Sequence, residues 1–454
     1  MATGFFDRNS TIAGPDFNRF QVPTAALAVH LCIGQAYAFS TFNIPLTKLI
    51  GITQSAPGDW KSTQVVWIFS IAIAILGSSA ALFGRWVERV GPRKSMFTAA
   101  VCFSGGFFVS ALGIKWHQLW LLYLGYGVLG GCGLGIGYIS PVSTLIKWFP
   151  DRPGMATGMA IMGFGGGALI AAPLSQLLME HFTSATSNGV LESFVTLGVI
   201  YFMYMMIGVY SVRVPAADWK PAGWTAPAVP KALVSTASVA VDMAWRTPQF
   251  WLLWGVLCMN VTAGIGVLAV ASPMIQEIFS GKVTATAAAG FVGLLSLFNM
   301  GGRFIWATTS DYIGRRTTYM IFFLLGILLY SLVPTIGRLG SVPLFVAAFC
   351  IILTMYGGGF ATIPAYLRDM FGTYQVGAIH GRLLTAWSVA GVLGPRLVSY
   401  IRDYQLDNGV PKAQAYSVTM YVMCGMLLIG FICNFAMRPV DPKYQLKAGA
   451  GEQT

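Results

Sequence analysis

Charge is what this sequence has least of. Only 10% of its 454 residues are Asp, Glu, Lys or Arg, and 56% are hydrophobic, whereas a soluble domain carries about 25% charge. That excludes an ordinary water-soluble globule. The apolar residues fall in long blocks, each near the ~20 residues that cross a bilayer as a helix. Short segments of alternating hydrophobicity are missing, which excludes a β-barrel. Runs of basic residues are missing too. The net charge of +12 is spread singly between apolar blocks, a pattern that sets topology in a membrane and offers nucleic acid no footprint.

Cysteine pairing is equally absent. The seven cysteines, Cys32, Cys102, Cys132, Cys258, Cys350, Cys424 and Cys433, all lie in apolar blocks, and none forms a CxxC pair. They read as small core residues, not disulfides or metal ligands. No catalytic triad, metal cluster or heme pattern occurs, so the chain is expected to be no enzyme and to carry no cofactor. The first 20 residues contain Asp7, Arg8, Asp16 and Arg19 and lack the apolar core and cleavage site of a signal peptide. The series Gly163-Phe-Gly165-Gly166-Gly167 has no strand before it and no lysine after it. It is therefore no phosphate cradle but a place where helices approach closely.

What is present is twelve apolar spans, at roughly 21–46, 63–83, 94–114, 119–145, 154–178, 190–213, 249–274, 284–308, 317–337, 341–366, 377–401 and 415–437. The expected architecture is an all-α membrane protein with twelve transmembrane helices in two six-helix halves. An N-terminal tail (1–20) leads into the first half (21–213). The segment 214–248 holds Pro215, Pro221, Pro227, Pro230 and Pro248 and reads as a linker. The second half (249–437) and a tail (438–454) follow. Of the 28 lysines and arginines, nineteen fall on the side of the termini, Lys231 and Lys447 among them, and eight on the other. The positive-inside rule then puts both termini in the cytoplasm.

The halves repeat one another. Glu88 and Asp311 are 223 residues apart, and so are Gly91 and Gly314, Arg93 and Arg316, Pro141 and Pro364, Gly154 and Gly377, and Gly158 and Gly381. A single offset across three loop regions argues for a duplication in parallel orientation. Each copy places a carboxylate, a glycine turn and basic residues just inside the membrane: Gly84, Glu88, Arg89, Gly91 and Arg93 in one, Asp311, Gly314, Arg315 and Arg316 in the other. Beyond ending a helix, these loops are expected to form inter-helix ion pairs that break when the halves rock.

The one remaining basic residue is Arg303, alone in an uncharged apolar segment. A charge at that depth is costly and should face a protein-lined cavity. A guanidinium offers a planar fork to a carboxylate and does not deprotonate, so Arg303 reads as an anion-binding charge. The alternative is an arginine held by a backbone carbonyl for packing.

Two six-helix halves with this paired loop resemble the major facilitator superfamily. Gly34-Gln35-Ala-Tyr37-Ala-Phe39-Ser40, Gly133-Leu-Gly135-Ile-Gly137-Tyr138-Ile-Ser-Pro141, Lys147-Trp148-Phe149-Pro150-Asp151-Arg152-Pro-Gly154 and Arg246-Thr247-Pro248-Gln249-Phe250-Trp251, together with the Arg303 segment, resemble its oxalate:formate antiporter family. That family is related to the monocarboxylate transporters. The resemblance implies a small carboxylate bound between the halves near the midplane and carried by alternating access. It implies that Arg303 is the substrate-binding arginine and that Tyr37, Tyr138, Phe164, Tyr356, Phe360 and Trp387 line the cavity. Two departures matter. Trp387 stands where the oxalate exchanger has a lysine, so oxalate would leave one carboxylate without a cation, a costly desolvated charge. Asn299 stands where animal monocarboxylate porters carry an aspartate, and an amide orients a substrate but carries no proton.

The expectation is a monomeric transporter of small monocarboxylates (lactate, pyruvate, formate or a short 2-oxo or 2-hydroxy acid) in a bacterial inner membrane. A proton or a counter-anion would be its coupling partner. His30 is the candidate for proton coupling because it titrates in the useful range, with helix packing as the alternative. His380 and Glu277 are weaker candidates. Arg396 reads as snorkelling to the outer surface, or as part of an outer gate. One rival is an oxalate:formate exchanger with Arg382 or Arg396 as the second charge. The other is a carboxylate sensor with a transporter fold, which the residues after Arg438 are expected to be too few to serve as output.

Overall fold

A computed structural model describes residues 4–225, 233–235 and 237–446. Pro227, Pro230, Lys231, Lys447 and the rest of the C-terminal tail lie outside the described residues. Among the described residues, twelve helices are long and apolar enough to cross a membrane. They are α1 (Arg19–Leu46), α2 (Ser62–Val90), α3 (Pro92–Lys115), α4 (Leu119–Trp148), α5 (Pro153–Phe182) and α6 (Val190–Ser211) in the first half. The second half has α7 (Pro248–Ile278), α8 (Thr286–Ile313), α9 (Arg315–Leu339), α10 (Val342–Phe371), α11 (Val376–Asp407) and α12 (Lys412–Phe435). Each matches an expected span, and most run further at one end. With an even number of crossings, both termini share one face, called here the terminal face.

Helices α1, α4 and α11 depart from plain α geometry along their length, which hydropathy does not register. From Gly34 to Phe42, α1 tightens into 3₁₀ winding, and this stretch carries Tyr37. From Tyr123 to Gly130, α4 widens into a π-helical stretch, where a ladder bond is lost. The Tyr126 N–H there donates to Ser110 Oγ on α3 at 2.9 Å, so a neighbouring hydroxyl replaces the missing carbonyl. At Leu384, α11 breaks between two helical segments, Val376–Leu383 and Thr385–Asp407.

The duplication is visible in the backbone. Gly91 links α2 to α3 with φ 83°, and Gly314 links α8 to α9 with φ 87°. Both sit in the left-handed region that glycine enters without a Cβ penalty. Pro141 and Pro364 lie inside α4 and α10. The halves meet mainly along α5 with α8 and α2 with α11, where small residues let backbones touch. A Cβ on Gly158 would fall 3.0 Å from the Arg303 carbonyl oxygen, and one on its mate Gly381 would fall 2.2 Å from that of Ala80.

The N-terminal segment is docked on the terminal face. Arg93 donates to Phe5 O at 3.0 Å and to Ser10 Oγ at 3.1 Å, and Arg19 grips Asp151 with two bonds of 2.6 and 2.9 Å. Burial would raise the Asp151 carboxyl, but its bonds to Arg19 outweigh that and hold it below the usual carboxylate range.

Replacing Gly381 with leucine is expected to prevent the terminal face from closing. Spin labels at the exposed positions Arg89 and Thr373 would then show a longer distance than in the parent. An unchanged distribution would contradict the need for close approach at this glycine.

Candidate functional site

The centre of the molecule is built around one side chain. Arg303 lies on α8, one turn after Asn299, and both are buried, with the arginine 0% exposed. Residues four apart share a helix face, so the Asn299 Oδ1 accepts a hydrogen bond from Arg303 Nε at 3.2 Å. Nη1 donates to the Ile161 carbonyl on α5 at 3.4 Å, a long and therefore weak bond. Nη2 has no partner among the described residues. The guanidinium carbon is 5.2 Å from the Phe360 ring centre and 5.7 Å from that of Phe164, within cation–π range. Among the described residues, no carboxylate is bonded to it.

Aromatic side chains from both halves close around this charge. Trp387 on α11 packs 4.7 Å from Phe360, 5.3 Å from Phe164 and 5.4 Å from Tyr138. The Tyr37 and Tyr356 hydroxyls are 3.0 Å apart and join α1 to α10. Arg303 is within electrostatic reach of Tyr37, Tyr138 and Tyr356. Of the eight residues picked out in the sequence, seven are buried and Tyr37 is partly exposed. All eight fall in this one cluster.

The polar atoms left over are informative. Among the described residues, Arg303 Nη2, Trp387 Nε1 and the Tyr138 hydroxyl are buried without a hydrogen-bond partner of normal geometry, although the Tyr138 hydroxyl lies close to the guanidinium. Each can donate, and the two nitrogens can do nothing else. Unpaired buried donors and a buried charge without counter-charge both cost free energy. The chemistry complementary to all three is a small anion that only accepts.

The paired loops carry the expected inter-helix ion pairs, and a second kind of contact joins the halves on the terminal face. Most ion pairs here form within one half, but Asp242, docked beside the second half, bridges Arg85 of the first and Arg382 of the second. Lys147 donates to Glu88 at 2.8 Å, and Arg315 pairs with Asp311 at 2.6 Å and Asp369 at 3.1 Å. The two repeat acids themselves cross between halves as carboxylate to backbone. Asp311 accepts from the Gly154 and Met155 N–H groups, both at 2.8 Å, at the start of α5. Glu88 accepts from Gly377 N–H at 3.1 Å at the start of α11. The first N–H groups of a helix have no intrahelical partner and carry partial positive charge, so they bind carboxylates well. Arg89 is exposed, with no ion pair among the described residues. Arg93 holds the N-terminal segment, and Arg316 donates to Phe435 O within its own half.

The remaining candidates are engaged elsewhere or turned inward. His30 lies between two carbonyls of its own half, with Nδ1 2.5 Å from Ala160 O and Nε2 3.2 Å from Tyr138 O. Glu277 is paired with Arg402. Arg382 donates to Asp242 at 2.8 Å and stacks on Trp245. Arg396 is exposed and stacks on Trp67 of the other half, 4.1 Å from its ring centre. Sequence reasoning missed Thr157, which donates to Ala361 O across the halves at 2.6 Å. It also missed Ser388, which donates to Ile73 O at 2.8 Å. Thr157 precedes a repeated glycine, a signal that was available; Ser388 carried none.

A membrane-embedded pair of helical halves, packed around a buried charge that neither half satisfies, defines a transporter. The chain belongs to the Major Facilitator Superfamily, whose model matches residues 25–395. It is 28% identical to the oxalate:formate antiporter of Oxalobacter formigenes, over 83% of this chain and 82% of that protein. It is 23% identical to apicoplast pyruvate carrier 1 of Toxoplasma gondii, over 91% of this chain and 88% of that one. The crystal structure of the E. coli fucose:proton symporter FucP shares the fold, with TM-score 0.65, 14% identity, and 92% and 99% of the two chains covered.

Asp311→Asn keeps an acceptor but removes the charge at the start of α5, worth about 1 kcal/mol at a helix terminus. The open population of the Arg89–Thr373 label pair should grow roughly fivefold. No growth would mean that the carboxylate contributes nothing to closure.

Proposed function

We propose that this chain carries a small monocarboxylate across a bacterial inner membrane by alternating access, as a monomer, with Arg303 holding the carboxylate. The observation that carries this reading is the unpaired Nη2 of Arg303 inside an aromatic box made by both halves. Asn299 fixes the guanidinium, Tyr37, Tyr138 and Tyr356 orient the anion, and Phe164, Phe360 and Trp387 wall it. The relatives named for oxalate, formate and pyruvate support small carboxylates as the class. The lysine and arginine bias supports cytoplasmic termini, with halves 21–213 and 249–437 joined by the linker 214–248. Closure by Glu88 and Asp311 then seals the cytoplasmic side.

Trp387 supports one carboxylate over two. It occupies the place a second cation would need, and Arg382 and Arg396 are committed to Asp242, Trp245 and Trp67. Oxalate:formate exchange is the second reading, favoured by the 28% identity to that antiporter. His30, bonded within its own half, fits a packing role and is left out of the proposed machinery. Net movement requires the substrate to favour the closing states over the open ones, since equal affinity would shift nothing.

Uptake of labelled formate, lactate, pyruvate and oxalate into proteoliposomes tests the reading. Arg303→Lys keeps the charge but loses the fork, and should cost about ten- to hundredfold in exchange with normal insertion, the worth of one charged hydrogen bond. Parental rates in that variant would remove Arg303 from the site. Trp387→Lys should gain oxalate exchange at the expense of monocarboxylates. Strong oxalate exchange by the parent chain would instead support the second reading.

A further inference from the structure

The internal repeat picks out a residue that the anion site does not use. His380 stands at the 223-residue offset from Thr157, and Ala361 stands at the same offset from Tyr138. Thr157 reaches across the halves and donates to Ala361 O at 2.6 Å. Its mate His380 reaches across the halves to Tyr138, ring centres 5.8 Å apart, but makes no such bond. His380 is 1% exposed, and its Nε2 is buried without a partner, as is the Tyr138 hydroxyl. The copy that could have tied the halves together instead leaves an unpaired imidazole nitrogen beside a tyrosine of the anion site.

Its position connects two functions. One turn earlier, Gly377 N–H donates to Glu88 in the terminal-face closure. Seven residues later comes Trp387, on the wall of the box. His30 is within electrostatic reach of both Arg303 and His380, so the anion-holding charge and the free imidazole share one region.

The other ionisable groups packed around this segment are already committed. On α2, Glu88 is bonded to Lys147 and Gly377. The short helix Val241–Ala244 brings Asp242, paired with Arg85 and Arg382. On α10, Asp369 pairs with Arg315 and Arg368. On α7 there is Cys258 and, at the far end, Glu277, paired with Arg402. None of these is a counter-charge for an imidazolium at His380. A proton there would add a second buried positive charge to the region of Arg303, which is costly unless an anion is present.

We propose that His380 is the proton-binding site of this transporter, loaded together with the carboxylate on Arg303; the inference rests on the anion-binding reading above. From the face that is open, the Nε2 lone pair takes a proton from water as the carboxylate enters. The bound anion supplies the missing counter-charge, so each ligand strengthens binding of the other by the same factor. After the halves rock, Nε2 returns the proton to water on the other face as the carboxylate leaves. Anion and proton cross together with no net charge.

The test uses the full chain in proteoliposomes holding the pH dye pyranine, with labelled pyruvate outside and the voltage clamped by potassium and valinomycin. The expected result is pyruvate accumulation driven by an inward proton gradient, with a proton entering for each pyruvate. His380→Gln should collapse the ratio of gradient-driven accumulation to pyruvate–pyruvate exchange to its value without a gradient. Parental coupling in that variant overturns the proposal. So does net pyruvate uptake by the parent chain with no proton entry, a measurement that needs no variant and stands even if His380→Gln fails to insert. If the parent exchanges none of pyruvate, formate, lactate and oxalate, the Arg303 reading itself fails and this one falls with it.

Discussion

A guanidinium buried at the centre of a membrane protein, with no carboxylate bonded to it among the described residues, sets the terms for everything around it. Its own half contributes Asn299, which fixes Nε, and Phe360. The other half contributes the Ile161 carbonyl and Phe164. The environment of Arg303 is therefore a function of how the halves meet. In the proposed function, rocking them apart on either side removes part of its support and admits water, and bringing them together on an anion restores it. Binding and reorientation would then be coupled because one charge is shared between two bodies.

The closure of the terminal face follows a second electrostatic rule. Apart from Asp242, which bridges Arg85 of the first half and Arg382 of the second, each half keeps its ion pairs to itself and offers the other a carboxylate aimed at the start of a helix. Asp311 on Gly154 and Met155, and Glu88 on Gly377, are the same contact made twice by the duplication. A carboxylate facing backbone N–H groups can leave them for water without stranding a cation in the opposite half. The partners Arg315 and Lys147 stay beside their acids in either state. Glycine at Gly158 and Gly381 brings the backbones close enough for these contacts to form.

Much of this was legible in the sequence. Twelve spans follow from the need to bury backbone polar groups in lipid, and the repeat follows from one offset. Arg303 was legible because a charge inside an apolar block is too costly to keep without a ligand or a partner to hold it, and all eight site residues converge. The structure also shows the packing alternative in part, since Nη1 does touch a carbonyl; the unpaired Nη2 is what supports the anion reading over it. Other features had no sequence signal. Hydropathy averages over the tightened turn that aims Tyr37 and the widened one at Tyr126. Arg93 and Arg315 look alike in the repeated loops, yet one holds the N-terminal segment and the other a pair of acids. The N-terminal segment that Arg93 holds and the Asp369 that Arg315 holds come from distant parts of the chain.

The most direct measurement is an experimental map of the protein frozen with saturating pyruvate. The expected result is density for a single carboxylate within hydrogen-bonding distance of Arg303 Nη2, between the Phe164 and Phe360 rings and in contact with both halves. Density elsewhere, or an Arg303 engaged by the Ile161 carbonyl alone with nothing bound beside it, would contradict the role given to this guanidinium.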